Sequence, residues 1–177
     1  MRILILSDSP LILTGYGVIA YGLGKYFRRR GHEIAYVGFQ HIGSPGLVKL
    51  DDAYAPIYEG SNTISIERAF KEWKPDVGIH VRDAFAHSPK HFQFPYSLVS
   101  LKHRPKIILN TPVQSDMLPD GFIEACNKEA DLVVSPTEWG RDVLLFQGVP
   151  SNRLEYIPWG YDPESYYPKS VKKSEYG

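Results

Sequence analysis

The sequence predicts an α/β fold, a doubly wound parallel sheet with helices on both faces. Three observations predict it. Short apolar runs alternate with helical stripes along most of the chain, a pattern that sets parallel strands side by side through crossover helices. The first such unit, Ile3 to Phe39, reads as strand, glycine turn, helix and parallel strand. Polar residues follow several of the strands, where open α/β sheets place their ligands.

Each element has its own signal. Ile3 to Leu6 is a buried strand. The turn Gly15-Tyr16-Gly17 precedes a helix starting near Gly17, with Ile19, Leu23, Tyr26 and Phe27 on one face at i, i+4, i+7 and i+8. Arg28, Arg29 and Arg30 close it, as the helix dipole favours, and Gly31 stands where a left-handed C-cap belongs. Ile34 to Val37 is the second strand. Between Gly38 and Gly60, glycine, proline and aspartate interrupt two short apolar pieces, Leu47-Val48 and Tyr54 to Tyr58, so a loop and one weak strand are expected. Asn62 caps a second helix with Ile66, Ala69, Phe70 and Trp73 inward and Glu67 paired with Lys71, and Pro75 stops it.

Val77 to Val81 is the next strand, with Arg82-Asp83 at its C-terminal end. Ser88 to His103 reads as a helix entered through Pro89 and kinked or divided at Pro95. Lys106 to Asn110 is a strand, and Pro119 opens a helix from about Asp120 to Glu129 that makes Cys126 a core residue. Leu132 to Val134 is a strand followed by a helix to about Gln147, with Gly148 as its cap. Tyr156 to Pro158 is the last short strand, and residues 169–177 form a polar, lysine-rich tail.

Bulk composition bounds the function. The 177 residues, 43% hydrophobic, fit one domain at about 100–200 residues per domain. Lys and Arg total 20, as do Asp and Glu, so no global field draws the chain to nucleic acid, and peripheral membrane contact is left to local patches. One cysteine excludes an internal disulfide and a cysteine metal site, which fits a cytoplasmic protein. Asp8 and Pro10 cut the first apolar run below the about 7–15 residues of a signal peptide core.

Gly15-Tyr16-Gly17-Val18-Ile19-Ala20 matches the spacing of a dinucleotide fingerprint. Its context does not. Ser7 to Thr14 separate the strand from the first glycine, and Phe39, Gln40 and His41 stand where a ribose-binding acid belongs. The glycine turn still lets a ligand approach the backbone, and amides at a helix start attract phosphate. His80, Asp83, His87 and His91 make a poor metal set, because His80 lies within a strand and Pro89 separates the other two histidines from a regular helix. No metal site is expected. Ser9, Ser115 and Ser135 lack the Gly-x-Ser-x-Gly elbow of a hydrolase nucleophile.

The turn Thr14 to Gly17, the helix end Arg30 to Ile34, the run Ala130 to Gly140 and the segment Tyr156 to Pro168 together resemble a known family. They are similar to the N-terminal half of a GT-B glycosyltransferase of the retaining family 4 type, and the similarity covers nearly the whole chain, Arg2 to Pro168. The resemblance implies a Rossmann-like acceptor-side domain over residues 1–168, with 169–177 as tail or linker to a C-terminal GT-B domain. It implies a metal-independent hexosyltransferase with no cofactor, using a nucleotide diphosphate sugar and a glycan, lipid or small-molecule acceptor. Gly15, Tyr16 and Gly17 would touch the donor diphosphate. Asp83, Thr111, Pro112, Gln114 and Glu138 would line the acceptor side, which their positions after strands also favour.

Two residues depart from the family pattern. No histidine stands in Asn110 to Val113, so no catalytic residue is named, and Trp159 replaces the hinge asparagine, exchanging a polar contact for an apolar one. The family's acidic pair belongs to the second domain, so this chain alone is expected to be inactive. The alternative is a non-enzymatic α/β module that binds a phosphorylated ligand or a protein partner; an oxidoreductase is a weaker third reading.

Overall fold

The computed structural model describes residues 1–41, 46–84 and 104–160. The expected helix from Ser88 to His103, the tail and the segment from Tyr161 to Pro168 lie outside these residues. Among the described residues eight strands form one sheet: β1 (Arg2–Asp8), β2 (Glu33–Phe39), β3 (Gly46–Leu50), β4 (Ala53–Glu59), β5 (Val77–Val81), β6 (Lys106–Asn110), β7 (Leu132–Ser135) and β8 (Leu154–Tyr156). Their spatial order is β3-β4-β2-β1-β5-β6-β7-β8.

All neighbours pair in parallel except β3 and β4, which are antiparallel, with Leu47 opposite Pro56 and Lys49 opposite Tyr54. This corrects the expectation of a loop and one weak strand between Gly38 and Gly60. The stretch is a hairpin, turned at Asp51 (φ 52°), and the two apolar pieces are its two arms. Its inward residues Val48, Leu50, Ala55 and Ile57 are buried, while Leu47 and Tyr54 are exposed.

Among the described residues four α-helices flank the sheet: α1 (Gly15–Arg29), α2 (Thr63–Trp73), α3 (Phe122–Glu129) and α4 (Glu138–Phe146). Side chains alternate along each strand, so the sheet divides the core into two layers. Ile3, Ile5, Ile34 and Tyr36 face α1 through Ala20, while Leu4, Leu6, Val37, Ile107 and Leu109 face α2, α3 and α4. Cys126 lies in the second layer, as expected, and burial pushes its thiol up to about 12.

Helix α1 packs by a different stripe from the one predicted. Its fully buried residues are Gly17, Ala20 and Gly24. Ile19, Leu23 and Phe27 flank them, and Tyr26 is exposed under the Arg30 guanidinium, 3.5 Å from the ring centroid. The cause is Tyr36, whose hydroxyl fills the space where a side chain on Gly24 would stand. Gly31 ends the helix at φ 79°, in the left-handed region expected of it. In α2, Asn62 accepts the Ser65 N–H at 2.9 Å, and Lys71 pairs with Glu67 at 2.8 Å.

Candidate functional site

Strand order reverses between β1 and β5. From β1 the chain moves one way to β2 and β4, and from β5 it moves the other way to β6, β7 and β8. Open α/β sheets present a crevice at such a reversal, outside the carboxyl ends of the strands. Here those ends carry Asp8, Arg82, Asp83 and Asn110, with the first turn of α1 beside them.

The glycine turn is the start of the helix itself. Helix α1 begins at Gly15 with Thr14 as its cap, and Thr14 Oγ1 accepts the Gly17 N–H at 3.0 Å. Among the described residues the Gly15 and Tyr16 amides have no acceptor, and no acid stands in the first turn. These two N–H groups form the open anion-facing end of α1. The glycines differ in role. A Cβ on Gly17 would lie 2.5 Å from the Ile12 carbonyl and 2.8 Å from that of Ser9, so Gly17 lets the Ser9 to Thr14 loop close onto the helix. Nothing lies within 4 Å of a Cβ on Gly15.

Helix α4 begins in the same way with the opposite electrostatic result. Thr137 Oγ1 accepts the Gly140 N–H at 3.0 Å, and a Cβ on Gly140 would meet Ser135 Oγ at 2.5 Å. Its first turn contains Glu138, whose carboxylate answers the helix dipole. Of the two starts, only α1 leaves its positive end without an acid of its own.

Asp83 joins the crevice walls. Its Oδ1 accepts the Tyr16 hydroxyl and also Gln114 Nε2, the latter at 2.7 Å. Burial first, and the hydrogen bond to Asp83 second, hold the Tyr16 phenol well above the usual tyrosine range, so Tyr16 stays a donor. Tyr16, Asp83 and Gln114, expected at the site from the sequence, therefore meet as one unit. Glu138 stands exposed at the start of α4, and Pro112 is half-buried in the loop after β6. Thr111 is fully buried, and its N–H donates to the Val134 carbonyl at 2.9 Å, joining the ends of β6 and β7. His80 is buried in β5 beside Phe39, with ring centroids 5.8 Å apart, and His87 and His91 lie outside the described residues.

Three participants were not read as such from the sequence. Asp8, 6% exposed, accepts Thr14 Oγ1 at 2.8 Å and lies 3.9 Å from the Arg82 guanidinium, which stacks on Phe39 at 4.3 Å. A charged residue ending an apolar strand was the available signal, the same one that singled out Asp83. Asn110 accepts Trp159 Nε1 at 3.1 Å, and the Trp159 ring meets Tyr16 edge-on at 6.0 Å between centroids. Trp159 therefore makes a polar contact as well, which corrects the reading of it as a purely apolar replacement.

A family model described as Glycosyltransferase Family 4 matches residues 13–165. A sequence comparison with curated proteins finds no match. Among solved structures, Anabaena HepE in complex with UDP-glucose superposes with a TM-score of 0.58 at 14% identity, covering 99% of this chain and 47% of that one. An alpha-glucosyltransferase in complex with UDP and a 13-mer DNA gives 0.63 at 16% identity, over 96% of this chain and 46% of that one. A Thermosynechococcus elongatus sucrose-phosphate synthase structure gives 0.56 at 10% identity, over 93% and 92%. The chain spans about half the length of the first two. At these identities the likeness is one of fold: a Rossmann-like GT-B N-terminal domain.

Proposed function

The chain belongs to Glycosyltransferase Family 4, and from that premise we propose that the protein transfers a sugar from a nucleotide diphosphate sugar to an acceptor, with these residues as one wall of the cleft. The observation that carries the reading is the α1 start: two open amides at a strand-order reversal, beside a wall built on Asp83. Sugar transfer develops negative charge on the departing diphosphate, and fixed N–H donors in a shielded cleft stabilise such charge. Gly15 and Tyr16 N–H would meet it from this side. Asp83, held by two donors, and Gln114 offer hydrogen-bonding partners for hydroxyls of an acceptor. We further propose that transfer retains the anomeric configuration, needs no metal and takes place in the cytoplasm. The rest of the donor site would come from a second domain, so the 177 residues alone should show no turnover.

The test is product analysis by mass spectrometry with the full-length protein and a panel of UDP-, GDP- and ADP-sugars. One sugar should be transferred, and Gly15→Val, which keeps the N–H but puts a branched side chain in the open space in front of it, should reduce kcat/KM at least about 100-fold by holding the diphosphate off the donors. Transfer that is indifferent to Gly15→Val would remove α1 from the reaction. Donor binding without turnover would favour a module that binds a phosphorylated ligand.

A further inference from the structure

The segment after β8 does not leave the sheet at its edge. Ile157 N–H donates to the Ser135 carbonyl at 3.0 Å, extending the β7–β8 ladder by one bond. Two residues later Trp159 donates its Nε1–H to Asn110 at the end of β6 and sets its ring against Tyr16 on α1. Tyr16 in turn donates to Asp83 at the end of β5. One indole thus closes a line of contacts from the exit segment to the carboxylate on the cleft wall. The two contacts fix the indole by a direction and a plane, which simple filling of space would not require.

We propose that Trp159 is a positioning residue that orients Tyr16, and through it Asp83, so that the exit segment and the acceptor wall are set as one unit. The function of that wall rests on the glycosyltransferase reading above; the mechanical link does not. A tyrosine ring pinned at its hydroxyl by Asp83 and held perpendicular to the Trp159 ring has one orientation. Removing the indole frees the ring and opens it to water. Removing only the indole N–H leaves the edge contact and lets Asn110 turn.

The experiment uses the full-length protein with ring-labelled tyrosine, Tyr16 being assigned through Tyr16→Phe, and compares Trp159→Phe and Trp159→Ala with the native protein by NMR. In Trp159→Ala the Tyr16 resonance should titrate at a lower pH than in the native protein, as desolvation is lost. Trp159→Phe should move the Tyr16 resonance without lowering that pH. In transfer assays both variants should raise the acceptor KM, Trp159→Ala by about 10-fold, with kcat and donor KM within about 2-fold, the pattern of lost uniform acceptor binding. A folded Trp159→Ala whose Tyr16 resonance and titration match the native protein overturns the link. A moved Tyr16 resonance with unchanged acceptor KM keeps the link and overturns its role at the acceptor wall.

Discussion

At the scale of single residues, the glycine turn contains two positions that the same substitution should separate. Gly17→Ala places a methyl against two backbone carbonyls that cannot turn aside, so it should cost about 1–3 kcal/mol in thermal or chemical unfolding. Gly15→Ala meets open space and should unfold like the native protein. A loss of activity in Gly15 variants therefore reports on ligand binding, whereas a loss in Gly17 variants reports first on the loop. Thr14→Ala removes a helix cap and leaves the buried Asp8 without its hydroxyl partner; about 1–2 kcal/mol of stability should go with it, measured by denaturant titration. Tyr16, Asp83 and Gln114 could be singled out in the sequence because they flank strand ends and the helix start. Asp8, Asn110 and Trp159 were harder to read, because their roles come from partners 6, 49 and 49 positions away.

At the scale of elements, α1 shows where periodicity falls short. The large apolar residues marked a helix correctly, but the face nearest the sheet is Gly17, Ala20 and Gly24, because a tyrosine on β2 needs the room. A stripe of small residues carries little hydrophobic signal, and the partner that calls for it lies elsewhere in the chain. Gly24→Ala should improve intrinsic helix propensity by about 1 kcal/mol, yet destabilise the protein by about 1–3 kcal/mol net through collision with the Tyr36 ring. Because the Tyr36 hydroxyl is buried with no hydrogen-bond partner among the described residues, Tyr36→Phe should be neutral or stabilising. In the double variant it should recover part of the loss, a coupling read from a double-mutant cycle in urea. Strands β1, β2 and β5 were legible almost to their ends because they are buried on both faces, and β6 was legible by its apolar run Ile107 to Leu109. The β3–β4 hairpin was not, since one face of each arm is exposed and Pro56 and the aspartates imitate a loop.

At the scale of the whole molecule, the end of the sheet opposite the crevice sets the response to pH. Burial raises Glu129 to about 7, against the opposing influence of Lys128 and Arg104, and its carboxyl oxygens have no hydrogen-bond partner among the described residues. The folded protein therefore binds a proton that the unfolded chain releases near 4.5, so stability should fall as pH rises from about 5 through 7, by about 1–3 kcal/mol. For Asp131, burial acts upward, but Lys106, the Ile107 N–H and Arg104 outweigh it and hold the carboxyl below its ordinary value. Its contribution is present above pH 3.8 and lost below it. Stability should peak near pH 5, and Glu129→Gln should flatten the fall toward neutral pH, as measured by urea unfolding across that range. The order of strands has a further consequence, in time instead of space. The strand at the middle of the sheet is the first to be synthesised, and β5, which pairs Ile3 with Val77, is made about 75 residues later, roughly 4–15 s at ordinary elongation rates. During that interval an apolar strand has one edge unsatisfied while it is still tethered to the ribosome. A chaperone that holds nascent apolar segments should therefore matter most for this protein before Val81 has left the exit tunnel.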